Sequence, residues 1–151
     1  MNMLVLCCLF PLSLLAGQQD LEMLLKELDT VIECKDSYIL PKEKELSELR
    51  LRLKNTKNNR QKYELCDKLF TAYLHYQADS ALSYVERKQE LLPFLDEPVL
   101  EQELIINRAE VMGVMGMYSW AEQLLSQVKP GILTPELLGY YYRTMRANYG
   151  W

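Results

Sequence analysis

Apolar residues along this chain recur at spacings of three and four, the period of a helix face, and strand-type alternation never persists over a useful length. Leu21, Leu24, Leu25, Leu28, Val31 and Ile32 form a first such face, with Gln19 or Asp20 able to cap it. A polar turn is expected at Lys35-Asp36-Ser37. Tyr38-Ile-Leu-Pro41 should then open a second helix, with the proline in its first turn. There Ile39, Leu46, Leu49 and Leu53 recur at near-heptad spacing, a narrow stripe suited to one partner, the first helix in antiparallel array.

Five further helices follow. Asparagines at 55, 58 and 59 mark a turn, because their side chains compete for backbone hydrogen bonds. The third helix is expected over about Arg60 to Tyr76, and the fourth to about Leu92, with Asp79 or Ser80 as its N-cap. Pro93 and Pro98 bracket a short connector. A fifth helix should run from about Leu100 to Met115 and end at Gly116 in a left-handed conformation. The sixth covers Ser119 to Val128. The seventh starts at Thr134-Pro135, with the threonine hydroxyl as cap and proline at the first helical position. Two stretches share one pattern, Ala78 to Lys88 and Gly116 to Ser126: a polar or small turn, an alanine (Ala81, Ala121), then bulky apolar residues three and four positions on. Such internal similarity marks stacked helical hairpins. The expected fold is all-α.

The N-terminus changes this picture. Met3 to Ala16 is an apolar run without charge, too short to span a bilayer, which takes roughly 20 residues. It reads as a secretory signal cleaved after Ala16 or Gly17, although Met1-Asn2 supplies no basic residue. The chain therefore divides into a signal over 1–17, a helical hairpin over 18–56 and repeats over 57–151, the last one incomplete. Export places it on the periplasmic side. The formal net charge of −4 argues against a nucleic-acid binder, which needs a basic field. Charge is uneven: Lys42 to Lys62 carries eight basic and three acidic residues, Asp96 to Glu122 six acidic and one basic. Beyond the signal only Cys34 and Cys66 remain; each sits among apolar helical residues, and a disulfide between them is permitted by export but not implied.

Chemistry finds little support. His75 is the sole histidine, and neither a phosphate loop, a nucleophile elbow nor a zinc motif occurs. Glu101, Glu103 and Glu110 share a helix without a metal motif and read as surface charge. No enzyme, no metal and no cofactor are expected.

Ala81, Val85 and Pro93 in one hairpin, and Ala109, Ala121, Leu125 and Val128 in the next, resemble the tetratricopeptide pattern, as does the Met115-Gly-Met-Tyr118 turn. The resemblance covers roughly Arg60 to Trp151 and implies a short solenoid of antiparallel helical hairpins. Three features depart from it: Leu69 stands where glycine or alanine is preferred, Lys88 where alanine is preferred, and the paired alanines lie 40 residues apart instead of about 34. More narrowly, the signal, the segment Leu24 to Ile32, Tyr63-Glu-Leu-Cys-Asp-Lys-Leu69 and Asp79 to Tyr84 are similar to the N-terminal region of a Bacteroidota family of uncharacterised membrane-anchored regulators. That resemblance implies a sensor or interaction module, with regulation and the membrane span residing downstream.

In tetratricopeptide arrays the first helix of each pair lines a groove for an extended peptide or helix. Carried over by position, that groove holds Tyr63, Cys66, Phe70 and Tyr73 in the first repeat, and Glu103, Ile106 and Glu110 in the second, with Asn107 and Arg108 nearest to the family's polar clamp. Aromatics beside carboxylates favour a basic or amphipathic protein partner. The competing expectation is that these aromatics are simply core, since one residue of register turns a helix face by about 100°. The aromatic last helix (Tyr140 to Tyr142, Tyr149, Trp151) offers a second contact patch, including self-association. An alternative class is a periplasmic glycan- or solute-binding repeat protein, which usually carries a lipoprotein cysteine after the signal; none stands there.

Overall fold

A computed structural model describes residues 10–150, with side chains from Asp20 onward. Residues 1–9 of the expected signal lie outside the described residues, as does Trp151. Seven α-helices follow in order: α1 (Phe10–Glu33), α2 (Lys35–Asn55), α3 (Asn59–Tyr73), α4 (Ala78–Leu91), α5 (Pro98–Val114), α6 (Tyr118–Leu125) and α7 (Pro135–Tyr149). Short 3-10 turns occupy Leu92–Phe94 and Pro130–Ile132. Among the described residues there is no strand, and no helix is long and apolar enough to cross a membrane.

The chain divides into two compact units, up to Lys44 and from Glu45 onward. In the first unit the structure corrects the expected turn at Lys35-Asp36-Ser37. Those residues are helical, and the break is the single residue Cys34. Its N–H still donates to the Thr30 carbonyl at 3.0 Å, and its carbonyl accepts from Ser37 N at 3.0 Å, so hydrogen bonding barely lapses there. An antiparallel helix pair needs a loop of about two to five residues; one residue does not supply it. Pro41 consequently lies inside α2, not in its first turn.

The second unit follows its hydrophobic pattern closely. Leu46 of α2 is fully buried, with Leu49 and Leu53 beside it on one face against the core. Asn58 caps α3, its side-chain oxygen accepting from Gln61 N at 3.0 Å. Helices α3 and α4 pack as one hairpin, α5 and α6 as the next, α4 against α5, and α7 against both α5 and α6. The small residues at the crossings, Ala81, Ala109 and Ala121, are fully buried, which allows the helices to approach closely. Gly116 adopts the expected positive φ of 76° after α5, and Thr134 caps α7 through Leu137 N at 3.3 Å. One cap differs: α4 begins at Ala78 after Gln77, which makes no side-chain cap bond, and Asp79 sits inside the first turn, where its charge favours the helix dipole.

Side chains fasten the connectors. Arg60 Nη1 donates to both carboxylate oxygens of Glu97 at 2.7 Å, tying the start of α3 to the residue before Pro98. Gln102 of α5 accepts from Lys129 N at 2.7 Å and holds the segment after α6. The longer-than-usual spacing between repeats is thus taken up by a pinned proline-bracketed connector.

Candidate functional site

The centre of the second unit is a buried cation. Lys88, on α4, is 0% exposed. An ammonium cannot lie away from water unless it is neutralised and its three N–H donors are met. Its Nζ donates to Asp67 Oδ1 at 2.6 Å from α3, and to Glu103 Oε1 at 2.5 Å and Asn107 Oδ1 at 2.7 Å from α5. The rings of Tyr63 and Phe70 lie 4.6 and 5.8 Å from it and add cation–π attraction. The residue that departs from the repeat pattern is therefore the one that joins three helices.

The network continues outward. Asn107 Nδ2 donates to the Tyr140 hydroxyl at 3.0 Å, and that hydroxyl donates in turn to Glu110 Oε2. Burial, reinforced by the adjacent Glu110 charge, pushes the Tyr140 phenol far above its ordinary range, so it remains a donor. Glu110 is also raised, chiefly by desolvation; the Tyr140 hydrogen bond and the positive potential of His75 and Arg143 offset this in part.

Beside the network opens a groove of about 400 Å³ between α3, α5 and α7. Its wall includes Asp67, Phe70, Glu103, Asn107, Glu110 and Tyr140. Three carboxylates thus share a wall with two nearby cations, the buried Lys88 and the exposed Arg143 whose guanidinium lies 5.8 Å from the Tyr140 ring, so negative charge remains in excess. Four of the expected groove residues, Phe70, Glu103, Asn107 and Glu110, come together here. Glu103 and Glu110 are not the surface charges their helix suggested; they are half-buried and hydrogen-bonded.

Tyr63, Tyr73 and Ile106 are corrected: all three are buried and do not line this groove. Tyr73 stacks on Tyr84 at 5.6 Å and accepts from Arg50 at 3.2 Å; Tyr63 packs under the Lys88 ammonium. Cys66 is buried as well, and desolvation raises its thiol, which leaves it unreactive. Arg108 turns to the opposite side and binds Gln89 at 2.7 Å. His75 is exposed at the α3–α4 turn. Sequence reasoning missed Asp67 and Lys88, and assigned Tyr140 to a contact patch on the last helix rather than to this groove. Lys88 alone carried a signal, as a charged residue at a small-residue position.

A model of the SusR N-terminal TPR domain matches residues 32–151. The chain belongs to that family. No curated protein and no solved structure matches it. Domains of this type are generally non-catalytic modules for protein–protein interaction, and this SusR-type domain is a helical-repeat interaction module. The family match begins within α1, so α2 belongs to the matched region together with the repeats. Among the described residues no group of His, Cys, Asp or Glu is arranged to hold a metal ion.

Two predictions follow from this network. Lys88→Met should cost about 3–5 kcal/mol in urea unfolding, because Glu103 and Asn107 lose their donor while still buried. Lys88→Met/Glu103→Leu should recover most of that loss; equal losses would assign the effect to packing of the lysine stem. For Glu110 the folded pKa lies above the unfolded one, so the fold holds the proton more tightly and loses stability as pH rises through the folded value. Glu110→Gln keeps an acceptor for Tyr140 without the charge. It should therefore unfold at a higher temperature than the parent at neutral pH, with the difference vanishing toward about pH 4.

Proposed function

We propose that this chain is the exported interaction or sensor module at the N-terminal side of a membrane-anchored regulator, and that its groove takes a basic side chain from a protein or peptide partner. The observation that carries the binding half is the charge balance of the groove: Asp67, Glu103 and Glu110 line or border it, and Lys88 answers only part of their charge. Phe70 beside those carboxylates suits the flat, weakly hydrated guanidinium of arginine, which forks onto carboxylates and stacks on rings, as the chain's own Arg143 already does over the Tyr140 ring at 5.8 Å. Glu110 is the carboxylate best placed to answer such a ligand: among the described residues no lysine or arginine hydrogen-bonds it, and its charge is costly in the free protein even with the positive potential of Arg143 nearby. A cation arriving beside it relieves that cost. Membership of the SusR family supports the regulatory half.

Export rests on the charge-free run Met3 to Ala16, followed by the small residue Gly17. Self-association through α7 is the further contact this reading allows. Tyr140 and Tyr141 are turned inward, whereas Tyr142, packed against the Tyr141 ring at 5.2 Å, and Tyr149 are exposed.

The groove reading is tested with a fluorescein-labelled extended peptide carrying one arginine between apolar residues, against its citrulline twin of equal shape. The arginine peptide should bind at least about tenfold more tightly, the worth of one charge-assisted contact, and Glu110→Gln should remove that preference. Equal affinity of the two peptides would end the charge argument. Export is tested by mass spectrometry of the protein from the cell envelope. The mature chain should begin at Gly17 or Gln18; an intact Met1 in the cytoplasmic fraction would overturn it.

A further inference from the structure

A second surface, apart from the groove, lies on α1. Its six aliphatic residues Leu21, Leu24, Leu25, Leu28, Val31 and Ile32 are each between 51% and 60% exposed. At 100° per residue they fall within one arc of roughly 120°, a continuous apolar stripe about three turns long. Exposed apolar patches of this kind mark interaction sites.

The borders of the stripe say what fits it. Asp20 and Glu27 flank one edge; Asp29 and Glu22 follow the other, and Glu33 lies farther round, close to Lys26. Lys26, the one basic residue between Asp20 and Glu33, projects from the far side of the helix. Both borders therefore carry carboxylates, one at Asp20 and Glu27 and the other at Glu22 and Asp29. A second copy of α1 would set carboxylate against carboxylate on both sides, in parallel or antiparallel arrangement alike. An amphipathic helix with lysine or arginine on its flanks meets the stripe with its apolar face and both borders with opposite charge.

We propose that the exposed face of α1 docks an amphipathic helix of another protein whose apolar stripe is bordered by lysine and arginine. This surface is independent of the groove.

The test uses the full chain and two designed fluorescein-labelled helices of equal length, both with leucine at the a and d positions. One carries lysine at e and g, the other glutamate. Fluorescence anisotropy should give the lysine helix at least about thirtyfold higher affinity, reduced at high salt, because exposed pairs are screened. Asp20→Lys/Glu27→Lys/Asp29→Lys should reverse the preference toward the glutamate helix. Leu24→Asp/Leu28→Asp should abolish binding of both helices while leaving the arginine-peptide affinity of the groove intact. These side chains are exposed, so circular dichroism of the variants should match the parent. Equal affinity for the two helices, no binding of either, or binding that survives Leu24→Asp/Leu28→Asp would overturn the proposal. So would a dimer in equilibrium sedimentation that those two substitutions dissolve, since the stripe would then belong to a second copy.

Discussion

A cation shut away from water dictates the chemistry of everything within reach of it, and in this fold that cation is Lys88. Two carboxylates and one amide oxygen must stand at its three hydrogens, and they come from α3 on one side and α5 on the other. Because the lysine itself stands on α4, the cluster fixes how the first hairpin meets the second. The packing of Ala81, Ala109 and Ala121 brings the helices close without specifying their register; the ammonium adds direction, since only one rotation of α5 presents both Glu103 and Asn107 to it. Buried ionic groups often contribute specificity more than net stability. That distribution of roles fits a core whose apolar part is already continuous.

The same cluster makes the groove what it is. Asn107 is held at both ends of its amide, by Lys88 and by Tyr140, and Tyr140 spends its proton on Glu110. Charge and hydrogen bonding are thus settled at the inner end and unsettled at the outer end, where Glu110 borders the opening. A binding surface built this way is rigid at its floor and under-neutralised at its mouth. Such a floor holds its shape in the absence of a ligand, which limits the ordering cost that binding would otherwise carry.

Much of this was legible in the sequence, for identifiable reasons. Periodicity of three and four placed the helices of the second unit, and local chemistry placed their ends where the cap is a matter of one side chain: Asn58, Gly116 and Thr134. The break at Cys34 was not legible. Polar residues at Lys35 to Ser37 suit a turn and an exposed helix equally well, and the helix ran through them. Among the groove residues, Phe70, Glu103, Asn107 and Glu110 followed from the repeat pattern, whereas Tyr63, Tyr73 and Ile106 are turned into the core by rotations that pattern alone does not resolve. Lys88 was visible as a violation, but its partners lie 15 to 21 residues away in sequence and on other helices. Long-range pairing of that kind leaves no local trace.

Helical-repeat proteins behave nearly as one-dimensional chains of units, each held by its neighbours and free to peel away from the ends. The ionic cluster of Lys88 straddles the seam between two such units, with its charges divided between them. Separating the hairpins would leave Lys88 with Asp67 as its sole partner and strand Glu103 and Asn107, both partly or fully buried, without their donor. The seam is therefore the least favourable place for this array to come apart. Its two hairpins should gain and lose their structure together, as a single cooperative block, rather than fray one after the other.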